Sequence, residues 1–328
     1  MGVVVASAPA KVILFGEHFV VYGEPAIVLA IDKRVYARVE TRQDKKLFIW
    51  SQNLGLSALF ENGNIKVEKG DPKDAKIKLE PIKCVVEKVW EKAGEKVGLN
   101  IEVSSTVPVA AGLGSSAAVA SAVAAAVGTT LAVKMSKEDI FRIAFEAEKI
   151  MHGTPSGVDP AISTFGGTML FQLDTGFKPI EVRADIPLVV GNTGIGRSTR
   201  VQVAKVRELR NKYPQIVEPM MRTAREIVLQ AVNALREGDL QTLGELMNIN
   251  HALLYGLGVS DESLERLINA GRKAGAFGAK LTGAGGGGCM IALASREKLE
   301  KVLEAVQRAG ACAFIARKTD EGVRIETC

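Results

Sequence analysis

The segment PVAAGLGSSAAVASAVAAAVGTTLAV, residues 108–133, constrains the fold more than any other part of the chain. Beyond its two early glycines it holds no charged residue and little that is larger than valine. A helix that is apolar around its whole circumference has to be enclosed by other elements. The stretch is mostly alanine, and Ser121, Gly128 and two threonines interrupt it, so it reads as a buried helix and not as a membrane span. Gly112, Gly114, Ser115 and Ser116 stand directly before the helical run. The first amide groups of a helix have no intrahelical partners, and the macrodipole is positive there. Glycines let the backbone curl closely around an anion and serine hydroxyls add donors, which together describe a phosphate site. Taken alone, so short a string is better read as a tight turn with serine caps.

Around this helix the chain changes grammar. At 328 residues it suits two domains, which we expect over 1–185 and 186–328. The first third alternates or is β-branched, predicting strands over 3–6, 10–15, 26–30, 35–41 and 47–50, and further ones over 76–79 and 100–107. Between the last two, apolar residues at helical spacing predict a helix over 81–97 with Pro81 at its first position. Ser136 followed by Asp139 predicts a capping box opening a helix over 137–150. The second half predicts helices over 200–212, 216–237, 240–257 and 260–274, a strand–glycine loop–strand in AKLTGAGGGGCMIALA, a helix over 296–309 and a strand over 312–316. Strands and helices mix without regular βαβα alternation, so the class is α+β.

Composition removes several functions. Lysine and arginine number 42 against 37 acidic residues, a balance of +5. The cations are scattered among acids, without the basic run and interleaved aromatics of a nucleic-acid groove, so no nucleic-acid partner is expected. Cys84, Cys289, Cys312 and Cys328 show no CxxC spacing, which suits reduced thiols in a cytoplasmic protein better than a disulfide framework or zinc site. The N-terminal run lacks a basic leader and is interrupted by Lys11 and Glu17, so it reads as a strand and not as a signal peptide.

Three further features carry chemistry. No GxxxxGK[ST] is present, and the GxGxxG match at Gly283, Gly285 and Gly288 lies between two strands, so a dinucleotide fold is discounted. The segment LTGAGGGGC reads instead as a hairpin whose backbone closes over a ligand. The stretch EAEKIMHGTPSGVDP brings Glu148 near a helix end and Asp159 into a loop bounded by glycine and proline. Phosphoryl transfer needs a metal ligand and a group that orients or deprotonates the attacking hydroxyl, and these two carboxylates could supply them. Lys11 is a cation in an apolar strand, either an edge gatekeeper or a partner for phosphate or an acid. The GEH that follows it contains no metalloprotease pattern, and no GxSxG elbow supports Ser115 or Ser116 as a nucleophile.

Three motifs in order, PAKVILFGEHFVVYG, PVAAGLGSSAA and KLTGAGGGGC, together resemble the GHMP kinase superfamily. HGTPSGVDPAISTFGG sharpens the resemblance toward its mevalonate kinase branch. The resemblance implies an N-terminal domain like domain 2 of ribosomal protein S5 and a ferredoxin-like C-terminal domain, with ATP and mevalonate between them. It implies ATP-dependent phosphorylation of the 5-hydroxyl of mevalonate, a step in isoprene and lipid precursor synthesis. By motif position, Pro108, Gly112, Leu113, Gly114, Ser115 and Ser116 would bind ATP, and Ser116 with Glu148 would hold Mg²⁺. Asp159 would be the base and Lys11 would steady it or the developing charge. Glu17, His18, Arg197, Thr199 and Gly285 would contact the substrate, Arg197 being assigned to the carboxylate from its charge and order. Galactokinases tend to follow GEH with Thr-Asp-Tyr, where this chain has FVVY, which disfavours a sugar. Phosphomevalonate and homoserine kinases share the glycine loops, and a sensor of the same fold would bind ATP and metabolite without turnover. No membrane partner is expected, and a homodimer is left open.

Overall fold

The computed structural model describes residues 2–107, 112–152, 156–196 and 198–327. The alternating runs of the first third pair into one sheet of nine strands among these residues. Its spine is the antiparallel pair β1 (Val4–Phe15) and β2 (Ala26–Thr41), joined through a 3₁₀ turn at Phe19–Tyr22. Beyond β2 come β6 (Leu99–Ser105), β3 (Leu47–Ser51), β4 (Leu56–Glu61) and β5 (Asn64–Lys69). The other half of β2 pairs with β7 (Thr168–Gln172), which pairs with β8 (Gly176–Pro179). Helices α1 (Pro72–Ala93), α2 (Ser115–Thr130), α3 (Lys137–His152) and α4 (Val158–Phe165) complete this lobe.

Helix α2 is enclosed as its composition requires. Ala117, Ala118, Ala120 and every residue from Ser121 to Gly128 are buried, and α2 packs on β1, β2, α1, α3 and α4. The capping box is present, Ser136 Oγ accepting from the Asp139 amide at 3.1 Å and Asp139 from the Ser136 amide at 3.0 Å.

Local readings differ in several places: β4 and β5 form where no strand is predicted, and Asp159, read as a loop residue, lies in α4. The stretch over 76–79 is not a strand, and α1 begins at Pro72 with Pro81 in its interior. Asp71 caps the amides of Lys73 and Asp74, and proline at the first position follows it, which outweighs one lost interior bond. The short strands predicted around Pro9 and Asp32 fuse into β1 and β2, the ladder shifting register between Pro9 and Ala10 to absorb the proline. That irregularity re-aims the chain. Before it, Ala6 and Ala8 pack in the core under the helices; after it, Ala10, Val12 and Leu14 pack toward the second lobe. Lys11 is thereby turned toward α2 and α4.

The second lobe holds β9 (Leu188–Asn192), α5 (Thr199–Lys212), α6 (Pro214–Glu237), α7 (Leu240–Gly256), α8 (Glu262–Lys273), β10 (Gly278–Thr282), β11 (Cys289–Leu293), α9 (Leu299–Arg308) and β12 (Cys312–Ala316). Its four strands form an antiparallel sheet in the order β10-β11-β9-β12. One core spans both lobes, joining Val12, Leu14 and Leu29 to Val190, Val228, Met247 and Ile291. No helix among the described residues is long and apolar enough to cross a membrane.

After β12 the chain returns to the first lobe, where β13 (Arg324–Ile325) pairs with β1. The returning strap fastens the end of α4: the Val323 amide donates to Thr164 O at 3.0 Å and the Gly167 amide to Thr319 O at 3.0 Å. Buried Arg34 donates through Nη2 to Gly322 O at 2.6 Å and through Nε to Ser7 Oγ at 2.7 Å. A Cβ at Gly322 would lie 2.0 Å from Thr164 O. We therefore expect Gly322→Ala to destabilise the protein by about 1–3 kcal/mol in urea denaturation; an unchanged midpoint would show that the strap yields freely.

Under β10, buried His251 joins α7 to its surroundings, with Nε2 2.9 Å from Glu265 Oε1 and Nδ1 accepting the Leu281 amide at 3.4 Å. An accepting Nδ1 requires the neutral ring. Burial pushes the imidazole down from its ordinary 6.5 to about 4, against the pull of Glu265. The unfolded chain takes up this proton first, so the contribution to stability is complete above about pH 6.5 and is lost as pH falls toward about 4. His251→Gln is expected to flatten the stability profile across that window by up to about 1.4 kcal/mol per pH unit. Matching slopes for parent and variant would contradict this.

Candidate active site

The chemistry-bearing residues converge where the start of α2 meets β1 and α4. Gly114 caps α2 with φ 73°, and among the described residues no side-chain cap bond closes this helix start. A Cβ on Gly114 would lie 2.9 Å from Lys11 Cγ and 3.5 Å from Asp159 Oδ2, so only glycine lets the turn sit this close to both. The Lys11 amide donates to Leu113 O at 2.9 Å, tying this turn to β1. Ser116 is exposed and Ser115 half-buried at the open end of the helix.

Asp159 sits in the first turn of α4, behind Gly157 at φ 79°. Its Oδ1 is 3.1 Å from Lys11 Nζ; the lysine side chain is 7% exposed and that of the aspartate 31%. The cation is thus enclosed while the carboxylate still opens to a ligand. Glu148, near the end of α3, presents a buried Oε2 that has no hydrogen-bond partner among the described residues. Burial, and then repulsion from Asp159, push its carboxyl up to about 8, while Lys11 pulls the other way. An unpartnered buried carboxylate oxygen beside a second carboxylate is an arrangement that a hard divalent cation would complete.

The second glycine loop, 283–288, lies between β10 and β11. Gly285 has φ 71° and approaches Val259 so closely that a Cβ would meet its carbonyl oxygen at 2.1 Å. His18 Nε2 lies 2.8 Å from Ala284 O, joining the GEH turn to this loop. Gln202 and Ile195 lie against Gly286 and Gly287, so the segment leading into α5 borders the loop.

The residues picked from sequence therefore divide. Lys11, Gly114 and Asp159 are in contact, Glu148 is electrostatically coupled to them, and Gly112, Leu113, Ser115 and Ser116 form the adjoining turn. Thr199 is exposed at the start of α5, and no described contact joins it to the Lys11–Asp159 pair. Glu17 is fully enclosed and bonded to Lys280. Pro108 and Arg197 lie outside the described residues. Sequence reading passed over Lys280, although a lone lysine in the apolar strand GAKLT carries the same signal that drew attention to Lys11.

Known proteins resemble this chain along nearly its whole length. Residues 80–167 match the model of the GHMP kinase N-terminal domain and residues 231–312 that of the GHMP kinase C-terminal domain. The chain is 41% identical to the mevalonate kinase of Thermococcus sibiricus and 43% identical to that of Pyrococcus horikoshii, with 98% of each chain covered in both cases. Among solved structures it is similar to L. major mevalonate kinase in complex with R-mevalonate, with a TM-score of 0.84, 30% identity and 96% of both chains covered. The Methanococcus jannaschii mevalonate kinase superposes with a TM-score of 0.82 at 26% identity, covering 96% of this chain and 98% of that one. Lactococcus lactis galactokinase, at 23% identity and a TM-score of 0.77, shares the fold. The chain belongs to the GHMP kinases and, within them, to the mevalonate kinases.

Proposed function

We propose that the protein transfers the γ-phosphoryl group of ATP to the 5-hydroxyl of mevalonate, giving 5-phosphomevalonate for isoprenoid precursor synthesis in the cytoplasm. The observation that carries this reading is the Lys11–Asp159 pair set against the uncapped start of α2. One carboxylate that can take a proton stands beside one anion site that can hold phosphate. The full-length likeness to mevalonate kinases selects the acceptor.

In this reading the amides of 112–116 and the Ser115 hydroxyl hold the ATP phosphates, and Pro108 borders them. Asp159 accepts the proton of the attacking hydroxyl at its carboxylate. Lys11, enclosed and fixed by β1, orients Asp159, and its charge offsets what develops on the attacking oxygen. His18, Thr199, Arg197 and Gly285 form the acceptor side, with Arg197 assigned to the mevalonate carboxylate. Ser116 and Glu148 would hold Mg²⁺, which when bound supplies charge neutralisation to the phosphates. The chain divides near 185/186, with the strap that carries β13 returning to the first lobe.

The reading is tested by ADP release with ATP, Mg²⁺ and mevalonate, set against homoserine, galactose and phosphomevalonate. Turnover is expected with mevalonate, and a rate no higher than background with mevalonate would overturn it. Asp159→Asn should bind ATP as the parent does and lose at least about 10²-fold in kcat. A variant close to the parent in kcat would remove Asp159 from the mechanism.

A further inference from the structure

Behind the Lys11–Asp159 pair the lobes are fastened by bonds between two motif segments. Glu17 and Lys280 both have side chains 0% exposed; Lys280 Nζ bonds Glu17 Oε1 and donates to Leu281 O at 2.8 Å. Next to Glu17, His18 bonds to Ala284 O. Two residues beyond Lys280, Thr282 Oγ1 donates to Ile13 O at 2.9 Å and accepts from the Ile13 amide at 3.1 Å. Ile13, Glu17 and His18 of the first lobe are thus held by Thr282, Lys280 and Ala284 of the second.

Enclosing two opposite charges is expensive, and an apolar pair of similar size would serve stability as well or better. What the ion pair adds is direction. Both segments that it joins need holding in shape. His18 adopts φ 62°, a conformation that non-glycine residues take up only when their surroundings impose it. The loop contributes five glycines at positive φ, Gly283, Gly285, Gly286, Gly287 and Gly288, and has few side chains with which to fix its own path. Burial pushes the Glu17 carboxyl up and the Lys280 ammonium down, and the charge of each partner opposes the shift of the other.

We propose that Lys280 is a positioning residue for phosphoryl transfer: through its buried pair with Glu17 it sets the turn at 16–18 and the loop at 283–288 in the register that seats the acceptor against Lys11 and Asp159. Lys280 itself touches no substrate. The inference rests on reading the site as a phosphoryl-transfer centre, and it gives Glu17 a role that acts through Lys280.

The test is the double variant Glu17→Met/Lys280→Met beside the single Lys280→Met. The single variant strands a buried charge and should lose both thermal stability and activity. The double variant should recover the parent's melting temperature to within a few degrees, keep the KM for ATP, and still show kcat/KM for the acceptor down by at least about tenfold. Amide exchange over 283–288 should be faster in the double variant than in the parent. If the double variant recovers acceptor kinetics along with stability, the pair is merely structural and the proposal is overturned. Should the double variant not fold, Lys280→Gln keeps a donor toward Glu17 without the charge, and unchanged acceptor kinetics there would equally overturn it. A parent protein with no transfer to any acceptor would count against the functional reading, while amide exchange would still decide the positioning claim.

Discussion

Helix α2 has no polar face to turn to water, and the first lobe is arranged around hiding it. β1 and β2 lie against it, and α1, α3 and α4 close the remaining sides. Sealing the helix along its length leaves its N-terminal end as the place where unsatisfied amides and the positive end of the dipole can meet a ligand. The same packing draws the neighbours inward. Alanines in place of larger residues let β1 come close enough for Lys11 to reach the rim, and let α4 come close enough to bring Asp159 beside it. A requirement of burial thus becomes a requirement on where charge is placed.

Two lysines show how a single sequence signal leads to different ends. Lys11 and Lys280 are each a cation in an otherwise apolar strand. The register shift between Pro9 and Ala10 turns Lys11 toward a carboxylate that is still open to solvent, so its charge works at the site. Lys280 meets a carboxylate sealed to the same degree as itself, so its charge is spent inside the protein on the joint between lobes. Exposure of the acidic partner separates the two cases, and strand pattern alone does not contain it.

Much of the site was legible because its chemistry is local. Glycine and serine before a helix mark a helix start that Lys11 and Asp159 turn into a candidate anion site, and the Ser136–Asp139 box opens α3 where the sequence put it. The helices of the second lobe fall within a few residues of their apolar stripes. What was not legible depends on partners remote in sequence. The fusion of short runs into β1 and β2 follows from pairing along their whole length. The return of β13 to β1, more than 300 positions away, left no periodic trace in a two-residue strand. Pro81 looked like a helix start because proline favours that position, yet Asp71 and Pro72 offered a stronger one upstream.

The central claim is that phosphate held at the start of α2 and a hydroxyl held at Asp159 meet beside Lys11. The most direct measurement is the structure of the protein with mevalonate and a non-hydrolysable ATP analogue bound together. The account predicts the analogue's phosphates against the amides of 112–116 and the 5-hydroxyl of mevalonate within hydrogen-bonding distance of Asp159. Phosphates seated away from α2, or a 5-hydroxyl out of reach of Asp159 with both ligands bound, would contradict it.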